Sequence, residues 1–271
     1  MTRPQRQPVR HWLALLLIGL LPVAPNAAEI RWFELISEDA EASVDFYREL
    51  FGWRIERSPT GSLVAYLGDK PIAGISQIEA TDNDVRESQW FPSFSVPNAT
   101  LAADAAEKAG AEIVEGPAYV DGYGDYAVIR DPQGAIMMLA NIGAVPVADK
   151  TAGNWVWGEL WTTDTDGSAL FYHALSELTM AWTDTSAGDK YLVLMQGEQS
   201  IGGVVEVEDP EFPTRWGGYI AVDDLEDTVE KARKLGGTIF EEELKPYRVA
   251  VLADPAGAVF FIYELDAEDA S

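Results

Sequence analysis

Trp32-Phe33-Glu34-Leu35 returns 125 residues later as Trp157-Gly158-Glu159-Leu160, and this pair of tetrapeptides sets the reading of the whole chain. In the same register Asp39 matches Asp164, Ser43 matches Ser168, and Phe46-Tyr47 matches Phe171-Tyr172. Further on, Trp90 pairs with Trp216 and Gly110 with Gly236 at a spacing of 126. Asp131-Pro132-Gln133-Gly134 then pairs with Asp254-Pro255-Ala256-Gly257 at 123. One such match is weak, but a run of them in order marks an internal duplication with small loop insertions and deletions.

Each copy has the same pattern of elements. A strand at about 31–37 (155–162 in the second copy) leads through Ser37-Glu38-Asp39, or Thr163-Asp164, into an amphipathic helix carrying Phe46-Tyr47 or Phe171-Tyr172. Short apolar runs follow at 63–67, 72–78 and 91–96, echoed at 191–195, 201–207 and 219–222. A second helix spans about 101–109 or 225–235 and ends at Gly110 or Gly236. The copy closes with a hairpin, 126–130 to 136–140 or 248–252 to 259–263, turning through Asp-Pro-x-Gly. The fold class expected is α+β, built as two tandem βαβββ modules over residues 28–142 and 154–266, joined by a linker at 143–153.

Ahead of the first module, Arg3, Arg6 and Arg10 precede an apolar stretch from Trp12 to Ala24 and then small residues. These are the parts of a signal peptide over residues 1–27, so the expected location is periplasmic or secreted. No stable membrane association is expected once it is cleaved; a retained anchor is the other reading. Removing three arginines and no acid from the formal charge of −26 leaves 16 bases against 45 acids, a net of about −29. Nucleic acid and anionic membrane surfaces are poor partners for such a chain. A cationic small molecule, or a merely solvated acidic surface, suits it better. Without cysteine there is no disulfide and no thiolate metal site.

The strand, acidic turn, helix with Ser three residues before Phe-Tyr, and closing Asp-Pro-x-Gly hairpin resemble the vicinal oxygen chelate superfamily. That is the group of glyoxalase I, extradiol dioxygenases and bleomycin-resistance proteins. The resemblance runs through about 30–265 and implies curved mixed sheets enclosing a cavity. It also implies a metal-ligand His fourteen residues before the Phe of Phe-Tyr, and a Glu seven residues after the Asp of Asp-Pro-x-Gly. Here those four positions hold Trp32, Trp157, Met138 and Phe261. Outside the leader the one histidine is His173, at a position that reads as helix surface. No resident metal cofactor is therefore expected.

If the family's His position faces the cavity, strand alternation sends Glu34 and Ile36 the same way as Trp32, and Glu159 and Trp161 the same way as Trp157. Phe33, Leu35 and Leu160 then face the helices. Inward carboxylates need compensation. Three roles compete: local hydrogen bonding as a structural device, contact with a cationic or donor-bearing ligand between the tryptophans, and an oxygen-ligated Mg or Mn ion. Tyr126, Tyr263 and Arg248 on the closing hairpins are secondary candidates, whereas Glu264 should face away from the cavity. The segment Asp121-Gly122-Tyr123-Gly124-Asp125 suggests a flap over the cavity mouth.

The function expected is binding of a small aromatic or cationic molecule, in the manner of bleomycin-resistance proteins, on Trp32, Glu34, Trp157, Glu159, Trp161, Met138, Phe261 and Tyr126. The alternatives are a divalent-metal lyase or dioxygenase using Glu34 and Glu159, and a non-catalytic scaffold for another protein. The sequence leaves open monomer or homodimer, and one shared cavity or two.

Overall fold

The computed structural model describes residues 30–58, 62–78, 87–120, 124–141, 150–176, 178–184, 190–243 and 248–265. The expected leader, the first three residues of the flap segment (121–123) and most of the linker lie outside the described residues.

The first module runs β1 (Ile30–Ser37), α1 (Ala40–Phe51), β2 (Arg54–Arg57), β3 (Leu63–Leu67), β4 (Lys70–Gln77), β5 (Gln89–Ser95), α2 (Ala99–Lys108), β6 (Glu112–Val120), β7 (Gly124–Arg130) and β8 (Ile136–Ala140). The second repeats it as β9 (Trp155–Thr162), α3 (Thr165–Ser176), β10 (Thr179–Asp184), β11 (Lys190–Gln196), β12 (Gln199–Glu206), β13 (Arg215–Val222), α4 (Leu225–Lys234), β14 (Thr238–Glu243), β15 (Val249–Ala253) and β16 (Val259–Glu264). Each module is one eight-stranded mixed sheet, ordered β2-β3-β4-β1-β5-β8-β7-β6 and β10-β11-β12-β9-β13-β16-β15-β14. Within a module the βαβββ unit occurs twice. In each half of a sheet the first and last strands of the unit pair in parallel, and β1–β5 and β9–β13 join the halves as antiparallel central pairs.

The chain's own polar residues start the helices. Asp39, Asn98 and Asp224 accept the N–H groups of Ala42, Leu101 and Asp227, and Asp164 accepts that of Gly167. The four strands that the apolar runs do not announce, β2, β6, β10 and β14, are the outermost strands of the two sheets. Three of them have mostly exposed or half-exposed side chains, so little in their composition distinguishes them from loop.

One face of each sheet carries helices, and across that face the two modules pack on each other. Phe33, Leu35, Phe46 and Tyr47 of module 1 form a single core with Leu225, Val229, Phe260 and Ile262 of module 2. Phe94, Ile129 and Leu139 of module 1 form another with Phe171, Tyr172, Leu194 and Trp216 of module 2. The ring of Phe33 stacks on Trp155 at 4.2 Å between centroids. Phe33 stands where module 2 has Gly158, and the tight fit explains that difference between the repeats. A Cβ on Gly158 would lie 2.7 Å from Ile30 Cδ1, and one on Gly218 2.7 Å from Phe33 Cε1. Module 1 supplies the knob and module 2 the hole.

The residues that define the repeat form a reciprocal polar lock inside these cores. Tyr172 of α3 donates to Asp131 in the module 1 hairpin (3.0 Å) and accepts from Trp216 Nε1 (3.0 Å). In mirror fashion Tyr47 of α1 hydrogen-bonds to Asp254 in the module 2 hairpin and accepts from Trp90 Nε1 (2.7 Å). Ser43 Oγ adds a bond to Asp254 at 2.7 Å. Each aspartate also accepts two N–H groups of its own turn, from Gln133 and Ala135 or from Ala256 and Ala258. Burial raises both carboxyls above the usual aspartate range, and these hydrogen bonds oppose the rise.

Tyr172→Phe leaves the buried Trp216 N–H and an Asp131 oxygen without their partner, and Tyr47→Phe leaves the buried Trp90 N–H without its acceptor while Ser43 still donates to Asp254. Each is expected to lower unfolding free energy by about 1–3 kcal/mol in urea, and the pair to be near additive because the tyrosines occupy separate cores. A folded-state pKa above the unfolded one means that stability falls as pH rises from the ordinary aspartate range to the raised value. Asp254→Asn, which does not titrate, should therefore gain stability relative to the parent as pH rises through that window and hold a constant difference above it. A relative gain on acidification would contradict the assignment.

Candidate ligand-binding faces

The other face of each sheet is free of helices, and it holds the residues singled out from the sequence. In module 1, Trp32, Phe91, Val128, Ile136, Met138 and Ala140 form a cluster flanked by Ile36, Val64, Val114 and Tyr126. In module 2, Tyr219, Val249, Val251 and Phe261 cluster with Trp157, Trp161 and Tyr263 at their margin, and Tyr191 and Val193 adjoin through Trp157. Alternation places Glu34 and Glu159 with these clusters, while Phe33, Leu35 and Leu160 turn to the helix-bearing cores, as the pattern predicts.

Two bulges separate the faces. The β1–β5 register slips between Ile30 and Trp32, and the β9–β13 register slips between Tyr219 and Ile220, opposite the step from Trp157 to Trp155. Ile30 and Trp155 therefore join the inter-module core, although simple alternation would put them beside Trp32 and Trp157. Of the two arrangements that the sequence leaves open, the structure places Trp32 apart from Trp157 and Trp161. Trp32 belongs to the face of module 1 and the other two to the face of module 2, because the sheets meet across their opposite sides. For the same reason Glu34 and Glu159 lie on the faces of different modules.

The two glutamates sit in different surroundings. Glu159 is 1% exposed. It accepts from Trp161 Nε1 (2.7 Å), from Tyr219 Oη (2.7 Å) and from Tyr191 Oη in a shorter contact. Tyr191 in turn accepts from Trp157 Nε1 at 3.1 Å. Burial raises the Glu159 carboxyl above its ordinary range and the three donors oppose the shift; burial also lifts both phenols well above theirs. Gly203 makes room for this arrangement, since a Cβ there would lie 1.6 Å from the Tyr191 hydroxyl. Local hydrogen bonding, the structural role among those weighed from the sequence, describes Glu159.

Strand register shows what module 1 has in place of those donors. Tyr219 and Ser93 both stand opposite the tryptophan before the glutamate, Trp157 and Trp32 respectively. Val193 and Val64 both stand opposite the glycine beside the glutamate, Gly203 and Gly74, so Tyr191 corresponds to Ser62. Trp161 corresponds to Ile36. Both phenols and the indole are thus replaced by two serines and an isoleucine. Ser62 is exposed, and Ser93 Oγ is buried with no hydrogen-bond partner among the described residues. Glu34 is half-buried and accepts from Trp32 Nε1 at 2.6 Å.

A second carboxylate joins Glu34 on this face. Tyr126 donates to Glu115 of β6, and burial, that bond and the charges of Glu115 and Glu34 push its phenol up. Glu115 carries no signal in the sequence because it lies on an edge strand without an apolar run. Tyr191 and Tyr219 are hidden for another reason: their role depends on strand register rather than local pattern. Among the other candidates, Glu264 turns away as expected. Its Oε2 accepts the Leu225 N–H at the start of α4 (2.7 Å), and its carboxylate pairs with Arg248, which holds it below the usual range. His173 is exposed, with Nδ1 3.1 Å from the Leu178 carbonyl oxygen.

The donor chemistry does not suit the metal ion of the metal-dependent relatives. The four family ligand positions present two indoles, a thioether and a phenyl ring, and all four side chains pack in these apolar faces. Among the described residues no three His, Cys, Asp or Glu side chains group to hold a metal.

Comparison with known proteins agrees with the architecture. The profile described as "Glyoxalase/Bleomycin resistance protein/Dioxygenase superfamily" matches residues 29–139, and that of a "Glyoxalase-like domain" matches 155–263. The chain is 30% identical over 255 residues to "Putative glyoxylase CFP32" of Mycobacterium tuberculosis, covering 88% of this chain and 97% of that one. It is 31% identical over 262 residues to "Anthracycline biosynthesis protein DnrV" of Streptomyces peucetius, covering 89% and 94%. The 2,3-dioxygenase LapB of Pseudomonas sp. KL28 shares the fold with a TM-score of 0.61 at 11% identity, covering 89% of this chain and 94% of its own. The Mn(II)-bound glyoxalase of Novosphingobium aromaticivorans does so with 0.60 at 12%, covering 88% and 82%. With both modules matched in tandem, the chain belongs to the glyoxalase/bleomycin resistance protein/dioxygenase superfamily.

Proposed function

We propose that this protein binds a flat aromatic molecule carrying a positive charge on the helix-free face of module 1, and sequesters it without metal chemistry. The observation that carries the reading is the convergence of Glu34 and Glu115 on Tyr126, beside the apolar surface of Trp32, Phe91 and Met138. An apolar wall with a few placed polar groups is the usual composition of a small-molecule site. Here both charged groups are carboxylates, and indole and phenyl faces favour cations as well. The two phenols that close over Glu159 are serines here, so the same acidic position serves as a recessed anchor in one module and as sealed core in the other. The names of the relatives fit this reading: two of them are named for anthracycline biosynthesis, and anthracyclines are flat, fused-ring compounds. The fourfold loss of the family's ligand positions argues against chemistry through a chelated ion.

The test is a titration of tryptophan fluorescence with 9-aminoacridine, a flat cation at neutral pH, beside a neutral acridine of the same shape. The cation should bind more tightly. Glu34→Gln and Glu115→Gln should each weaken it by roughly ten- to a hundredfold, the worth of a charge-assisted contact, and leave the neutral compound unaffected. Equal affinity for the two compounds, or indifference to both substitutions, would sink the proposal. So would a stoichiometric divalent metal in protein purified without chelators.

A further inference from the structure

Module 2 has charge of the opposite sign on its helix-free face. Arg215, the first residue of β13, stands directly opposite Trp161, so its side chain shares the face of Trp161, Glu159 and Phe261. Its guanidinium lies 5.6 Å from the ring centroid of Phe212, and Phe212 lies 5.9 Å from Trp161. The aromatic row continues inward: Trp161 to Phe261 at 5.3 Å, then Phe261 stacked on Tyr219 at 4.6 Å, ending at the sealed Glu159. Phe212, Trp161 and Arg215 are half-exposed, so the outer end of the row is open to solvent while its inner end is closed.

The state of Arg215 is unusual for so acidic a chain. Among the described residues it makes no hydrogen bond and no ion pair; Glu87 of module 1 attracts it only from beyond ion-pair distance. Burial draws its pKa down. Arg48, Arg54, Arg130 and Arg248, by contrast, all pair with carboxylates. A partly desolvated guanidinium without a carboxylate is unfavourable unless another anion reaches it. Its planar fork suits a carboxylate, and the adjacent rings suit an aromatic plane.

We infer that the outer end of the module 2 face is a second binding site, for an aromatic acid, in which Arg215 takes the carboxylate and Phe212 and Trp161 take the ring. It would make the protein a two-site binder with opposite charge preferences, one site per module. The site stands on residues of module 2 alone and is independent of the reading of module 1.

The probe is 2-naphthoate, titrated into the intact protein by fluorescence and calorimetry, with 2-naphthalenemethanol as the uncharged analogue. Naphthoate should bind at least tenfold more tightly than the alcohol, and less tightly as salt rises. Arg215→Gln should remove that advantage and leave the alcohol unchanged, Arg215→Lys should restore part of it, and Phe212→Ala should weaken both ligands. Because Arg215 makes no hydrogen bond among the described residues, Arg215→Gln should keep the parent's circular dichroism and melting profile. Failure of naphthoate to bind at millimolar concentration, equal binding of acid and alcohol, or unchanged naphthoate affinity in Arg215→Gln each overturns the site. The acridine titration of module 1 reads out separately, so either site can fail without the other.

Discussion

The structure depends on a hydrogen bond made twice between modules: a helix tyrosine of one reaches the hairpin aspartate of the other. Tyr172 meets Asp131 and Tyr47 meets Asp254, with Trp216 and Trp90 donating to the same hydroxyls. A buried carboxylate is tolerable only when its lone pairs are occupied, and here the turn's own N–H groups and the partner module's hydroxyl occupy them together. Neither hairpin is satisfied without the other module. The cores around the lock follow the same rule, since each mixes side chains of both modules. Pairing within one chain is the direct result.

That arrangement explains which features could be read in the sequence. Trp90, Phe46-Tyr47, Asp131-Pro132-Gln133-Gly134 and their echoes revealed the duplication because the lock needs the same residues at both of its halves. They looked like marks of a functional family, yet they serve assembly. The faces of Glu34 and Glu159 were also legible, since strand alternation is short-range. What alternation could not supply was the effect of one extra residue. The bulges near Ile30 and Trp155 turn those side chains into the inter-module core and leave Trp32 and Trp157 on separate outer faces. The edge strands β2, β6, β10 and β14 were hidden for a different reason. A strand paired on one side only needs no continuous apolar run, so Glu115 on β6 could not be recognised as part of a site.

The two modules differ in packing at their contact and in the burial of charge on their outer faces. At the contact, Phe33 fills the space that Gly158 and Gly218 leave, so the two halves of the interface can no longer be exchanged. On the outer faces the divergence concerns burial of charge. A carboxylate has about four lone-pair positions, and Glu159 has three donors on it with 1% of its surface exposed. It has little capacity left for a ligand. Glu34 occupies the same strand position without the two phenols, and the hydroxyl of Ser93, which replaces one of them, has no hydrogen-bond partner among the described residues.

The family's catalytic centre is broken by what occupies its positions, and the replacements point in one direction. Trp32, Met138, Trp157 and Phe261 are not small residues left by decay. They are large, polarisable side chains that build continuous surface with Phe91 in one module and Tyr219 in the other. A metal centre needs a few close donors and a gap for substrate, whereas stacking needs area and little else. Replacing two imidazole positions by indoles and two carboxylate positions by a thioether and a phenyl ring exchanges the first requirement for the second. Around these surfaces charges are set at the margins: Glu34 and Glu115 beside one, Arg215 beside the other. Charges so placed, beside rings that offer stacking area, are the features on which the two proposed sites rest.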